Sequence, residues 1–295
     1  MLCRLFYLIL KDMLNIKTIT HLCLRIKVKQ EILIRVASNM DKYCSLREKE
    51  TKPGKRRLIA NAKSELKAIQ HKILHNLLYR IPISPYAHGA VPKHSAKTNA
   101  AVHCGRQYKF CMDLKSCFPN VPSSRIRRLY EEILGCSPIV AQTLTNLTTF
   151  NYELAQGFPT SAALVNILCI PLDKNIYEYV YPKGLRYSRY IDDITISGSF
   201  ISEKTRANLR QIVTRNAFFL NMKKETFNTG HSAGIVTGLN TDSVKPIVPR
   251  QYKKNLRAAE YNLQRQDKTT MAKDALKSLN LSILGKKQYI KAIEG

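Results

Sequence analysis

The sequence predicts a mixed α+β fold, with a strand-rich centre set between a helical N-terminal region and a basic helical C-terminal region. Three observations carry this reading. Residues 108–114 and 185–197 alternate apolar and polar positions with the period of strands. Segments between and around them place apolar residues three and four apart, the period of helices. Residues 245–295 hold 12 Lys/Arg against four Asp/Glu on helix-like segments, a separate basic lobe.

Taken in order, residues 1–40 mix apolar and basic residues and are expected to form helices. "KYCSLREKETKPGKRRLIA", 42–60, reads as two short strands around a turn at Pro53-Gly54. Residues 64–80 read as a helix capped by Ser64, with Leu66, Ile69, Ile73 and Leu77 in one apolar stripe and Pro82 just beyond. "YKFCMDL", 108–114, is a strand with Phe110 and Met112 facing one way, Cys111 and Asp113 the other. A helix from about Ser123 aligns Ile126, Leu129, Tyr130 and Ile133. "QGFPTSAALVNILCI" begins with a turn and becomes an apolar helix that ends or kinks at Pro171. Residues 185–197 form a hairpin in which Ile194 and Ile196 enter a core and Thr195 and Ser197 do not. A helix at 203–219 and a strand at 233–239 follow.

Composition narrows the function. The hydrophobic fraction of 44% is enough for a real core. The 48 Lys/Arg against 21 Asp/Glu give a net charge of +27, which calls for a polyanionic partner, nucleic acid or anionic membrane. The longest N-terminal apolar run, "LFYLIL", is too short to span a bilayer and lacks a secretory cleavage site. A membrane role is therefore not expected. The eight cysteines show no metal-binding spacing and are expected to be reduced thiols of a cytoplasmic protein.

Against this charge stands "RYIDD", with Asp192 and Asp193 adjacent in an apolar hairpin. One reading is a solvated turn, where Asp is common. The other is a metal site. Asp113 ends an apolar strand beside Phe118-Pro119, and a sheet that brings it to the hairpin tip would gather three carboxylates. Hard divalent cations take such oxygen ligands. Two of them about 3.5–4 Å apart activate a hydroxyl and stabilise a leaving pyrophosphate.

The chain resembles the reverse transcriptases, and within them the bacterial retron enzymes, from about Tyr43 to the C-terminus. "YIDD" is similar to the family's Tyr-x-Asp-Asp box, "MDLKSCFPNV" to its first aspartate block and "QGFPTSAALVNI" to its Gln-Gly block. "KPGKRRLI" followed by "LKAIQHKIL" resembles its fingers. Asn99-Ala-Ala-Val-His103 and Val236-Thr-Gly238 resemble two motifs particular to retrons. The chain departs from the pattern at Ser116, Cys117, Ala162 and Ile191, none of them a metal ligand.

The resemblance implies a right-hand polymerase: N-terminal helices and fingers over 1–107, a palm with an antiparallel sheet over 108–239, and a short helical thumb over 240–295. It implies RNA-directed DNA synthesis on a cognate structured non-coding RNA, primed from an RNA 2′-hydroxyl to give branched RNA–DNA, in antiphage defence with a separate effector protein. Asp113, Asp192 and Asp193, with the Leu114 carbonyl, would hold two Mg²⁺. Lys55, Arg57, Phe118, Gln156, Gly157 and Lys224 would meet the deoxynucleoside triphosphate, Phe118 as a gate against a 2′-hydroxyl. Asn99 and His103 would contact RNA or scaffold the fold locally. Thr237 and Gly238 would approach the primer or turn a strand. Lys253, Lys254 and Arg257 would bind nucleic-acid phosphates. An intron-encoded or diversity-generating reverse transcriptase and a non-catalytic RNA-binding scaffold stand as the alternatives.

Overall fold

The N-terminal third is built on helices because its apolar residues recur with helical spacing. The computed structural model describes residues 13–52, 55–231, 234–265 and 273–295. Helices α1 (Ile19–Ile26), α2 (Gln30–Ala37) and the single turn α3 (Met40–Tyr43) lead into an antiparallel hairpin of β1 (Cys44–Lys52) and β2 (Lys55–Ala62). The "LFYLIL" run and the Pro53-Gly54 turn lie outside the described residues. Helix α4 (Ser64–Asn76) follows, with its expected stripe of Leu66, Ile69, Ile73 and Leu77 buried. Burying each such side chain contributes about 1.5–3 kcal/mol. Ser64 does not cap α4: it is the first helical residue, Lys63 occupies the cap and makes no side-chain cap bond, and Glu65 supplies negative charge to the first turn.

The centre is a four-stranded sheet of order β4-β5-β3-β6, antiparallel throughout. Its strands are β3 (Tyr108–Asp113), β4 (Arg186–Tyr190), β5 (Asp193–Gly198) and β6 (Thr226–Asn228). Register gives the sheet two unlike faces. Phe110 stands opposite Ile196 and Met112 opposite Ile194 on an apolar face. Lys109, Cys111 and Asp113 oppose Ser197, Thr195 and Asp193 on a polar one. Thr195 and Ser197 are nevertheless buried, against expectation. The part of the polar face around Ser188 and Ser197 is itself covered by helix α5 (Ala96–Ala101) and the turn after it, where His103 meets both serines. Asp193 at the other end stays exposed, so alternation does not decide burial here.

Helices α6 (Ser123–Arg128), α7 (Pro138–Thr148), α8 (Ser161–Leu168) and α9 (Ile170–Val180) follow β3 in the chain, and α10 (Glu203–Arg215) follows β5. The apolar segment breaks at Cys169, and Pro171 sits in the first turn of α9, where its missing amide leaves no bond unmade. The expected strand at 233–239 is instead a tight hairpin of β7 (Ile235–Val236) and β8 (Leu239–Asn240). Its two turn residues, Thr237 and Gly238, have φ of 45° and 79°, the pattern of a type I′ turn. The C-terminal lobe, α11 (Arg250–Arg265) and α12 (Lys273–Glu294), joins this hairpin and α5 through a small second core of Ala100, Val236, Leu239, Val248 and Ile293. Among the described residues no helix is long and apolar enough to cross a membrane.

Candidate metal and nucleotide site

Two antiparallel pairings bring the carboxylates together. Asp113 closes β3 and Asp193 opens β5, directly opposite each other on the polar face. Asp192 shares with Ile191 the two-residue turn between β4 and β5. The Leu114 amide donates to the Asp192 carbonyl at 2.9 Å, and the Asn221 amide to the Asp113 carbonyl at 2.8 Å. The backbone therefore fixes both aspartates from either side.

The cost of this cluster shows in its acidities. Burial, with the nearby charge of Asp113, pushes the Asp192 carboxyl above its ordinary range. Asp193 keeps an exposed side chain, yet partial desolvation and the charges of Asp192 and Asp113 push it up to about 6. Lys224, in the 3₁₀ turn Met222–Lys224, sets its ammonium 2.5 Å from Asp113 Oδ2 and offsets part of the repulsion. Among the described residues no three His, Cys, Asp or Glu side chains converge as a ready-made metal cage. The donor chemistry still fits a hard divalent ion: crowded carboxylates, destabilised in their charged form, which a dication would stabilise.

Arg57 is exposed on β2, and its positive charge bears on Asp192. The side chain of Lys55 lies outside the described residues. Gln156 and Gly157 are strapped to β2: the Ala60 amide donates to the Gln156 carbonyl at 2.8 Å. Gly157 has φ 117°, and a Cβ there would stand 2.6 Å from the Ala60 carbonyl oxygen. Both facts require glycine. Leu114 is buried, while Phe118 is half-buried against the core near Asp113 in sequence.

The other expected nucleic-acid contacts divide. Asn99 and His103 are both fully buried. The His103 ring stands 2.7 Å from Ser197 Oγ through Nδ1 and 2.7 Å from Ser188 Oγ through Nε2. Ser188 Oγ donates to Asn99 Oδ1 at 2.8 Å, and Asn99 Nδ2 donates to Thr237 Oγ1 at 3.4 Å. Direct RNA contact by these two side chains is thus corrected to scaffolding: they tie α5, the sheet's polar face and the 237–238 turn into one network. No protein atom crowds Gly238, and its φ of 79° is what calls for glycine within the fold. In the basic lobe Lys254 and Arg257 are exposed, but Lys253 holds Glu294 Oε2 at 2.7 Å.

Sequence reading missed a fully buried ion pair. Arg189 Nε donates to Asp173 Oδ1 at 2.7 Å and Nη2 to Oδ2 at 2.8 Å, with both side chains inaccessible. The available signal was Asp173 itself, a lone carboxylate in the apolar run "NILCIPLD"; a charge placed there needs a partner.

The chain belongs to the reverse transcriptase family: residues 47–283 match the family described as reverse transcriptase (RNA-dependent DNA polymerase). Within it the chain groups with the bacterial retron enzymes. It is 30% identical over 218 residues to the Retron Ec86 reverse transcriptase of Escherichia coli, a match covering 73% of this chain and 68% of that protein. It is 35% identical over 222 residues to the Retron Mx65 reverse transcriptase of Myxococcus xanthus, covering 68% of this chain and 52% of that one. To the Retron Se72 reverse transcriptase of Salmonella heidelberg it is 30% identical over 224 residues, covering 74% and 59%. The match thus spans from 52% to 68% of these relatives' lengths.

Proposed function

We propose that this chain synthesises DNA on a cognate structured non-coding RNA, and that Asp113, Asp192 and Asp193 are its catalytic carboxylates. The observation that carries the reading is the pairing of Asp113 with Asp193 across β3 and β5, beside the turn that bears Asp192. In this reading residues 1–107 are the N-terminal helices and fingers, 108–239 the palm and 240–295 the thumb.

Two Mg²⁺, when bound, would activate the primer hydroxyl and stabilise the departing pyrophosphate. Asp113, Asp192 and Asp193 would hold them, with the Leu114 carbonyl assisting. Arg57 and Lys55 on the hairpin would take the triphosphate, Arg57 as a fork and Lys55 as a point charge. Gln156 and Gly157, held against β2, would line the pocket. Lys224, already on Asp113, would stand at the edge of the same pocket. Phe118 would exclude the 2′-hydroxyl.

We further propose what the resemblance to retron enzymes implies: priming from an internal RNA 2′-hydroxyl, giving branched RNA–DNA that serves antiphage defence with a separate effector protein.

The test has two arms. Asp113→Asn and Asp192→Asn should each abolish primer extension while leaving RNA affinity within about twofold of wild type, because the carboxylates serve chemistry and not docking. Near wild-type extension by either would refute the assignment. For the branch, enzyme purified with its neighbouring RNA locus should carry DNA that keeps ribonucleotides at its 5′ end after RNase and loses them to a debranching enzyme. No copurifying DNA from active enzyme would reject priming within this RNA.

A further inference from the structure

None of the chemistry above uses Arg189, yet its guanidinium makes four hydrogen bonds in the buried interior. Two go to Asp173 of α9. The remaining two leave Nη1, at 2.9 Å to Asn166 Oδ1 of α8 and at 2.9 Å to the carbonyl oxygen of Ile191. Arg189, on β4, therefore ties two helices to the turn that carries Asp192.

That turn needs holding. Ile191 has φ 59°, a conformation that β-branched residues adopt only under constraint. A two-residue hairpin turn with positive φ at its first position ordinarily places glycine there. The surroundings supply the constraint from a second side. Gly89 lies against the turn so closely that a Cβ would stand 2.6 Å from the Ile191 amide nitrogen. Its carbonyl accepts from Asn166 Nδ2 at 2.8 Å. Arg189, Asn166, Gly89 and Ile191 thus form a closed ring of contacts. The backbone of β4 is fixed as well, with the Arg189 amide donating to Tyr86 O and the His88 amide to Arg189 O, each at 2.8 Å.

A buried ion pair does not explain itself by stability. An apolar pair of similar volume commonly stabilises a fold as well or better. What an apolar pair could not do is hold the Ile191 carbonyl.

We propose that Arg189, braced by Asp173 and Asn166 and backed by Gly89, is a positioning residue that locks the Ile191-Asp192 turn in its strained form and so sets the Asp192 carboxylate for metal. The Asp192 end of this inference rests on the catalytic reading given above.

The test separates fold from positioning with the double variant Arg189→Met/Asp173→Asn, which removes both charges and keeps an acceptor for the buried Tyr187 hydroxyl, 2.6 Å from Asp173 Oδ1. It should unfold near the wild-type temperature. Amide exchange in the peptide spanning 186–198 should nevertheless accelerate. In primer extension kcat should fall and the half-saturating Mg²⁺ concentration rise, by about ten- to a hundredfold, the range for partners that orient a metal ligand, with KM for the deoxynucleotide little changed. Gly89→Ala should give the same signature with the ion pair intact. Wild-type exchange and wild-type Mg²⁺ requirement in a folded double variant would overturn the proposal. If that variant does not fold, Gly89→Ala decides alone, and the same unchanged pair of readouts overturns it. Activity surviving in Asp192→Asn would instead refute the catalytic reading and leave the exchange result standing, so the two failures are distinct.

Discussion

His103 shows how one buried side chain can be read down to its proton. Ser188 spends its hydroxyl hydrogen on Asn99, so it can only accept from His103 Nε2. Nε2 then carries the proton and Nδ1 accepts from Ser197. Burial, aided by the charges of His88, Arg186 and Lys109, lowers its pKa from 6.5 to about 3. The folded protein keeps His103 neutral where the unfolded chain would protonate it. Its contribution to stability is full above about pH 6.5 and is lost as the pH falls towards 3, at ~1.4 kcal/mol per pH unit. Asp193, raised to about 6, works the other way: its cost grows as the pH rises from 3.8. That effect is common to wild type and His103→Asn, so the difference between their unfolding curves isolates the histidine. The wild type should lose stability more steeply between pH 6.5 and 5, and parallel curves would exclude the assignment. Phe118 makes a second prediction. Half-buried after β3, it would exclude a 2′-hydroxyl by bulk, so Phe118→Ala should raise ribonucleotide relative to deoxynucleotide incorporation on one template. An unchanged ratio would return Phe118 to the core.

The contact between the β1–β2 hairpin and the 156–157 strap ties the hairpin to the segment that leads into α8. It depends on one residue without a side chain. Gly157→Ala must accommodate both a φ of 117° and a Cβ 2.6 Å from the Ala60 carbonyl oxygen. The expected cost is about 1–3 kcal/mol, measured by denaturant unfolding, together with a higher KM for the incoming nucleotide as the strap moves away from β2. Unchanged stability would show that the strap relaxes freely. Sequence signals served these elements unevenly. The strands β3, β4 and β5 and the stripe of α4 were legible because each carries its own periodicity. The β7–β8 hairpin was not, because each of its strands is two residues long. Its Thr237-Gly238 pair was the one turn signal, and it lay inside an apparently continuous strand.

The charge of +27 belongs to the molecule and not to any one site. The C-terminal lobe, residues 245–295, holds 12 Lys/Arg against four Asp/Glu, and pairing there decides which cations are available to phosphate. Lys254 and Arg257 are exposed, while Lys253 joins α11 to Glu294 of α12. Neutralising Lys254 and Arg257 should weaken RNA binding and lower the slope of log affinity against log salt by about 0.7–0.9 for each phosphate that is no longer neutralised. Lys253→Gln should leave that slope nearly unchanged. A full additional drop from Lys253→Gln would mean that the Glu294 pair opens on RNA.

Read alone, the sequence specifies the elements and the chemistry. Strand periodicity places Asp113 and the Asp192-Asp193 pair at strand ends, because alternation and apolar content are local properties of the chain. It also marks the chain as basic and as similar to retron reverse transcriptases. Only the tertiary structure decides what stands across from what. The register of β3 on β5 pairs Asp113 with Asp193. The covering of the sheet's polar face buries Asn99 and His103 and removes them from nucleic acid. The Arg189–Asp173 pair bridges 16 residues of sequence, and Arg189 is also joined through Asn166 to Gly89, which is 77 residues from Asn166. Such pairings leave no periodic trace, since each depends on how separate elements pack and not on the spacing within any one of them.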